Sequence, residues 1–202
     1  MRKKLILVAS PPACGKTYVT EIIAESADHI VYLDKDDLSD LIRASFVASG
    51  EDVDMDGEFY INNLRAAEYS TILNIAFSAL RFEETVLLNA PFLKEVRDTE
   101  YMQILKDRAN KKGAQLWLVW VTAPVELCRN RMRIRNSDRD TLKLKNWEDY
   151  VNKTDFTPPI ELEANGAVDR LIIFDNSNES NKQSLKKVLK ATIGGERCLI
   201  EK

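Results

Sequence analysis

The tripeptide Gly15-Lys16-Thr17 follows an apolar run of strand length and a short loop, and an amphipathic stretch comes after it. Glycine lets a backbone approach a polyphosphate because it has no Cβ atom. The loop N–H groups and the positive end of the next helix would face the phosphate oxygens. Lys16 would supply a cation for the β- and γ-phosphates, and the Thr17 hydroxyl could join a Mg²⁺ shell. The pattern therefore predicts a phosphate-binding P-loop over residues 10–17.

The loop departs from the G-x-x-x-x-G-K-[ST] pattern at one position, because Ser10 stands where the first glycine is expected. The helix that begins at Lys16 has an apolar stripe, which favours a nucleotide site over a chance lysine in a strand–helix turn. We expect the nucleotide to contact a run of loop residues: Pro12, Ala13, Cys14, Gly15, Lys16, Thr17 and Tyr18.

A group of acids, in the sequence Asp34-Lys35-Asp36-Asp37, ends the second predicted strand. Carboxylates there would face the γ-phosphate from the side opposite Lys16. Asp36 could accept the proton of an attacking hydroxyl, and Asp34 could order Mg²⁺ or its waters. The first turn of a helix favours the same residue types, which is the simpler explanation for Asp37 and stays open for Asp34.

Arginines form the densest basic cluster of the chain, at Arg129, Arg131, Arg133, Arg135 and Arg139. Arg131 and Arg135 share a helix face, and Arg139 would follow if the helix continued. Guanidinium groups neutralise the charge that phosphoryl transfer spreads over the γ-phosphoryl oxygens, and a closing lid would bring them in. A solvated helix face is the alternative, which we favour for Arg129 and Arg133.

Strand-like and helical patterns alternate along the chain. Strands are predicted at residues 5–9, 30–33, 85–88, 115–121 and 170–174. Helices are predicted at residues 16–27, 37–48, 59–80, 96–111 and 181–191, and a further helix begins at Pro124. This alternation predicts an α/β fold with a parallel sheet and helices on both faces. Ligands in such folds bind at the carboxyl ends of the strands.

The composition fits one soluble domain. The chain has 202 residues and a net charge of −3, so bulk attraction to nucleic acid or to a membrane is not indicated. Its three cysteines and one histidine form no zinc-like cluster and suit reduced thiols in the cytoplasm. We expect a domain over residues 1–191 with a lid at about 129–153, followed by a tail at 192–202.

Together these features resemble the P-loop kinase group of small phosphotransferases. Pro124, Glu126, Leu127, Arg131 and Arg135 follow the spacing of adenylate-kinase-like enzymes, in which the first arginine packs on adenine and the second binds phosphate. The acids after strand two and the lid are similar to bacterial ATP-binding kinases of the AAA type, which are related to zeta toxins, chloramphenicol phosphotransferases and the kinase part of polynucleotide kinases.

The resemblance implies a three-layer P-loop NTPase fold with strand order 2-3-1-4-5 and an arginine-rich lid. It implies ATP and Mg²⁺ as cofactors and Asp36 as the general base. Two positions depart from the group. Asn89 replaces the Walker-B aspartate of many relatives, so Mg²⁺ would depend on Thr17, on Asp34 or Asp36, and on water. Ser39 replaces an arginine that holds substrate phosphate in polynucleotide kinases, which argues against an oligonucleotide substrate.

We therefore expect an enzyme that transfers the γ-phosphate of ATP to a hydroxyl of a small molecule. The expected catalytic groups are Lys16, Asp36, Arg131 and Arg135. Further nucleotide contacts are expected from Arg131, Asn176 and Ser177, and acceptor contacts from Asp34, Asp36, Arg43, Arg65, Pro91 and Arg139. The alternatives are a 5′-hydroxyl nucleic-acid kinase and a nucleotide-binding module without transfer activity. The sequence decides neither the acceptor nor whether the chain forms a homodimer.

Overall fold

The computed structural model describes residues 2–26 and 29–178, except for the side chains of residues 138 and 139. The predicted last helix at 181–191 and the tail at 192–202 lie outside the described residues. The strands of the described part are β1 (Lys3–Ala9), β2 (Ile30–Asp34), β3 (Thr85–Asn89), β4 (Ala114–Thr122) and β5 (Arg170–Asp175). Its α-helices are α1 (Lys16–Ser26), α2 (Ser39–Ser49), α3 (Arg65–Ala79), α4 (Thr99–Asn110), α5 (Val125–Arg135), α6 (Asp138–Lys145), α7 (Trp147–Lys153) and α8 (Glu161–Ala164).

The strands form one parallel sheet in the order β2-β3-β1-β4-β5, which confirms the expected topology. Asn89 at the end of β3 pairs in register with Val8 of β1 on one side and with Asp34 of β2 on the other. The carboxyl ends of these three strands therefore meet at one edge of the sheet, where the P-loop leaves β1.

Successive side chains of β1 point to opposite faces of the sheet and belong to two separate layers of the core. Leu5 and Leu7 belong to the apolar cluster that includes residues of α3 and α4. Ile6 and Val8 belong to the cluster that includes residues of α1 and α5. Burial on both faces makes the central strands almost continuously apolar, and helices cover both sides of the sheet. No described helix combines the length and the apolar composition needed to cross a lipid bilayer.

Several helix boundaries differ from the sequence-based expectation, including that of the helix predicted at 96–111, which is observed as Thr99–Asn110. The helix predicted at 37–48 is preceded by a 3₁₀ turn, Lys35–Leu38, because the Asp34 side chain accepts the Asp36 N–H at 2.9 Å. The helix predicted at 59–80 begins with a π-helical turn at Tyr60–Leu64. The lid region is three short helices, since Asn136 adopts a left-handed conformation (φ 47°) at the end of α5.

Candidate active site

The P-loop joins β1 to α1 through a tight turn. Ala13 and Gly15 both have positive φ angles, 63° and 93°. Ser10 is buried, and its hydroxyl donates to the Pro11 carbonyl at 2.9 Å, so the side chain is satisfied where a glycine was expected. Helix α1 begins at Lys16 directly after the turn. This arrangement of loop and helix N-terminus is the one that binds phosphate in other proteins.

Both the neighbouring side chains and the positive φ angle at position 15 favour glycine over a residue with a Cβ atom. A Cβ atom at this position would lie 2.0 Å from Nδ2 of Asn176 and 3.7 Å from a guanidinium nitrogen of Arg131. The loop after β5 and the lid helix α5 therefore press directly on the P-loop. The predicted nucleotide contacts Asn176 and Arg131 are thus brought to the predicted phosphate loop.

Arg131 and Asn176 hold the P-loop by its backbone carbonyls. The Arg131 guanidinium donates to the carbonyl oxygens of Ala13 at 3.3 Å, Cys14 at 3.2 Å and Asn176 at 2.7 Å. Asn176 donates its side-chain amide to the Cys14 carbonyl at 2.8 Å. These bonds tie the loop to α5 and to the end of β5, which orders the loop before a ligand arrives.

The side-chain oxygen of Asn176 is buried beside the P-loop without a hydrogen-bond partner among the described residues. A buried acceptor of this kind suits a ligand that brings its own N–H or O–H donor. The other predicted nucleotide contacts are more exposed: Thr17 and Tyr18 lie on the solvent side of α1. Ser177 is turned towards Asp175, to which its hydroxyl donates at 2.9 Å.

Lys16 and Asp34 meet at the amide of Asn89. The Lys16 ammonium donates to Asn89 Oδ1, and Asn89 Nδ2 donates to the Asp34 carboxylate. The hydroxyl of Thr20 approaches the same Asn89 oxygen at 3.3 Å. The amide of Asn89 can accept a hydrogen bond from a cation and donate one to an anion at the same time. A Walker-B aspartate at this position has no donor and would repel Asp34.

Tyr32 completes this network from β2. Its hydroxyl donates to Asp34 at 2.9 Å and accepts a longer bond of 3.4 Å from the Asn89 amide. Burial and the hydrogen bond to Asp34 raise the pKa of Tyr32 above its usual value. The hydroxyl therefore remains a donor that orients the Asp34 carboxylate. Tyr32 was not among the predicted site residues, although it lies two positions before Asp34 on β2 and therefore points to the same side of the strand.

A buried ion pair supports the segment that carries Asp36. Lys35 is buried and donates to Glu68 of α3 at 2.9 Å, and Glu68 also accepts a hydrogen bond from Tyr60. The Asp36 carboxylate lies 3.5 Å from the Lys35 ammonium, and the Asp36 side chain is 61% exposed. Lys35 thus anchors the turn to α3, and the Asp36 side chain faces solvent.

The expected acceptor residues are distributed over several elements. Arg65, at the start of α3, forms a bidentate pair with Glu95 at 2.7 and 3.0 Å and lies over the Tyr69 ring. It borders a cavity of about 430 Å³ between α3 and α4. Arg43 is exposed on α2, and Pro91 follows β3. Arg65 was expected to contact the acceptor, but in the structure its charge is paired with the Glu95 carboxylate.

The lid arginines do not share one role. Arg135, on α5, pairs with the buried carboxylate of Asp140. Arg139 belongs to α6, and its side chain lies outside the described part of the structure. Arg129 lies over the ring of Trp147. Lys143 of α6 donates to the Asp56 carboxylate at 2.6 Å, which connects the lid to the segment between α2 and α3.

Among the described residues, no group of three or more His, Cys, Asp or Glu side chains is arranged to hold a metal ion. Mg²⁺ in phosphoryl-transfer sites usually takes one or two protein ligands and completes its shell with waters and phosphate oxygens. The exposed Thr17 hydroxyl at the start of α1 and the Asp34 carboxylate beside Lys16 fit that requirement.

Comparison with solved structures shows the same fold in proteins of low sequence identity. A protein from Chloroflexus aurantiacus matches with a TM-score of 0.63 and 18% identity, over 93% of this chain and 97% of that one. A sugar kinase from Janibacter sp. HTCC2649 gives 0.57 and 13% over 98% and 99% of the chains. Shikimate kinase from Bacteroides thetaiotaomicron gives 0.54 and 16% over 94% and 98%.

No curated protein matches the sequence at a significant level. The family model described as AAA domain matches residues 5–157, which is more than half of the chain and includes the P-loop, the strand-two acids, Asn89 and the lid. The observed strand order and the P-loop geometry agree with that match. The chain therefore belongs to the AAA domain family and has the fold of the P-loop kinases.

Proposed function

We propose that this chain is an ATP-dependent phosphotransferase that moves the γ-phosphate of ATP to a hydroxyl of a small molecule. The observation that carries the proposal is the junction of Lys16, Asn89 and Asp34 at the carboxyl edge of the sheet, directly after a P-loop. It puts a cation for phosphate and a carboxylate side by side, with Asp36 on the adjoining turn. This arrangement suits phosphoryl transfer, which depends on positioning and charge stabilisation.

In the proposed reaction the acceptor oxygen forms a bond to the γ-phosphorus while the bond from that phosphorus to the bridging oxygen breaks, and ADP leaves. The Asp36 carboxylate accepts the proton of the acceptor hydroxyl. Lys16 neutralises charge on the β- and γ-phosphate oxygens. The Arg131–Asn176 contacts keep the loop carbonyls turned away, so that loop N–H groups are available to phosphate.

Thr17 and Asp34 would hold Mg²⁺, which supplies charge neutralisation for the triphosphate when bound. The Asp34 carboxylate is already oriented by Tyr32, Asn89 and the Asp36 N–H. A carboxylate with fixed orientation is a better ligand than a mobile one, because little freedom is lost on binding. Arg135 belongs to the lid and would contribute charge to the reaction after release from Asp140.

A small acceptor suits the site better than a nucleic acid. Exposed Arg43 lies on α2 and half-buried Pro91 follows β3, and both segments leave the same edge of the sheet. The net charge of −3 opposes tight binding of a polyanion. Two similar structures are named for small acceptors, shikimate and a sugar, which supports this choice.

A screen for acceptor-dependent ADP release tests the proposal. The panel contains sugars, nucleosides, aminoglycosides, chloramphenicol, UDP-N-acetylglucosamine and 5′-hydroxyl oligonucleotides, each with Mg·ATP. We expect release with a small-molecule acceptor that disappears in Lys16→Ala and persists in Lys112→Ala, a matched change of an exposed lysine. ADP release only with oligonucleotides would mean that the acceptor is a nucleic acid and not a small molecule. ATP binding without release on any acceptor would indicate a binding module.

A further inference from the structure

Two cysteines far apart in sequence touch each other beneath the P-loop. The Sγ atoms of Cys14 and Cys128 are 3.5 Å apart, and both residues are free thiols. Cys14 is 1% exposed and Cys128 is fully buried, in the apolar layer that also contains Val19 and Val121. Cys14 belongs to the P-loop and Cys128 to the lid helix α5, so the contact joins the two parts of the candidate site from which nucleotide contacts are predicted.

We propose that Cys14 and Cys128 are an oxidation site that forms a reversible disulfide, and that this bond weakens nucleotide binding by moving the P-loop. The formation of the bond concerns the fold alone. The effect on nucleotide binding rests on the proposed function.

The environment makes the two thiols unequal. The hydrogen bond with Cys14 and the positive charge of Arg131 lower the pKa of the Cys128 thiol. Cys128 is therefore the more nucleophilic sulfur of the pair, since the thiolate is the reactive form; because it is fully buried, the oxidant reaches it only when the contact between α5 and the P-loop opens. Cys14 lies within contact distance as the resolving thiol, which is the usual arrangement of a reversible redox pair.

With hydrogen peroxide as oxidant, the Cys128 thiolate attacks one peroxide oxygen, the O–O bond breaks and hydroxide leaves to become water. The product is a sulfenic acid on Cys128. The Cys14 sulfur then attacks the Cys128 sulfur, the S–O bond breaks, and the hydroxide leaves with the Cys14 proton as water. Two thiols have lost two electrons to one peroxide, and a thiol such as dithiothreitol reverses the change.

The geometry explains why this bond would disturb the P-loop. A disulfide has an S–S distance of about 2.05 Å, so the sulfurs must approach each other by about 1.5 Å from their present 3.5 Å. The Cys14 carbonyl is held by Arg131 and Asn176, and a neighbouring atom already fills the space beside Gly15. A loop movement that brings Cys14 towards Cys128 would therefore strain the contacts that order the loop.

The experiment uses the full chain with Cys198 changed to serine, because Cys198 is the remaining thiol. Trypsin cleaves after Lys4, Lys16, Lys112 and Arg129, so peptides 5–16 and 113–129 each carry one cysteine of the pair. The protein is treated with hydrogen peroxide and digested without reductant, and the two peptides are searched for as a linked species by mass spectrometry. ATP affinity is measured on the oxidised, the re-reduced and the untreated protein.

We expect the linked peptides in the oxidised sample and their loss after dithiothreitol. We expect the Kd for ATP to rise at least about tenfold on oxidation, since ångström shifts of a binding loop have effects of this size. Reduction should reverse the rise, and Cys128→Ala and Cys128→Ser should remove the oxidation effect.

The proposed disulfide would be refuted if the folded protein gave no linked peptides. Linked peptides obtained after refolding from denaturant under the same oxidant would show that the digest can detect them. Linked peptides with an unchanged ATP affinity would overturn the second part. Failure of the reduced protein to bind ATP would instead contradict the proposed function and leave the peptide result to decide whether the oxidation site exists.

Discussion

The guanidinium of Arg131 donates a hydrogen bond of 3.2 Å to the backbone carbonyl of Cys14. In the resembling enzymes the arginine at this place packs on adenine. Here its N–H groups are occupied by carbonyl oxygens of the P-loop and of Asn176. The side chain thus holds the P-loop, and an effect of Arg131 on nucleotide affinity would not require contact with the base.

Replacing Arg131 by lysine separates these two roles. Lysine keeps the charge and loses the planar fork that bonds several carbonyls at once. We expect the affinities for ATP and for inorganic tripolyphosphate to fall together, by about tenfold for the loss of about 1–2 kcal/mol of hydrogen bonding. Calorimetric titration measures both, with the exposed Arg133→Lys as control. A fall for ATP alone would mean that Arg131 binds the base.

Gly15 is the glycine whose replacement should be most harmful. In Gly15→Ala the new Cβ would meet Asn176 at 2.0 Å, and the backbone has φ 93°. We expect a loss of about 2–5 kcal/mol in unfolding free energy and loss of ATP binding. Gly113→Ala is the control, because φ is 72° but nothing lies within 4 Å. Equal losses for the two variants in urea unfolding would refute the close packing of Asn176 against the loop.

The pair of Lys35 and Glu68 should dominate the stability of the turn that carries Asp36. Glu68→Ala removes the buried anion of Lys35 and leaves only the exposed Asp36 carboxylate at 3.5 Å; breaking a buried ion pair typically costs about 3–5 kcal/mol. Urea unfolding measures the loss, and the exposed Glu58→Ala should change stability by less than about 0.5 kcal/mol. Replacing both partners by methionine should recover most of the stability. A small effect of Glu68→Ala would show that Lys35 reaches solvent.

Tyr60 should make stability depend on alkaline pH. Burial and the hydrogen bond to Glu68 raise the pKa of Tyr60 above its usual 10.0. A raised folded-state pKa gives stability that is complete below pH 10.0 and is lost as the pH rises further. The difference in unfolding free energy between wild type and Tyr60→Phe should therefore shrink between about pH 9 and pH 11. A constant difference would contradict the shift. The exposed Tyr18→Phe is the control.

The sheet and the P-loop were predictable because their signals are local. Val8 and its neighbours in β1 are apolar without interruption, as a strand buried on both faces must be. Lys16 follows Gly15 at the start of a helix, which is a short-range pattern. The predicted strand order was correct because it was taken from the resemblance to the P-loop kinases. The helix starts were less accurate, since capping by Asp34 converts the predicted first turn of α2 into a 3₁₀ turn.

The partners of the charged residues could not be predicted. Glu68 lies 33 positions from Lys35, and nothing in the sequence pairs them before α3 packs on the turn. Arg65 resembled a substrate ligand and is paired with Glu95. The contact of Cys14 with Cys128 likewise arises only when α5 packs beneath the P-loop. Such pairings depend on the approach of distant segments, on which residue type and spacing carry no information.

Phosphorus NMR of the complete reaction tests the central claim most directly. The protein is mixed with Mg·ATP and the acceptor that stimulates ADP release. The account predicts that the γ-phosphate signal of ATP declines while the signals of ADP and of a phosphomonoester grow in equal amounts, and that Lys16→Ala abolishes all three changes. Inorganic phosphate as the only new product beside ADP would contradict the account, because the γ-phosphate would then have passed to water.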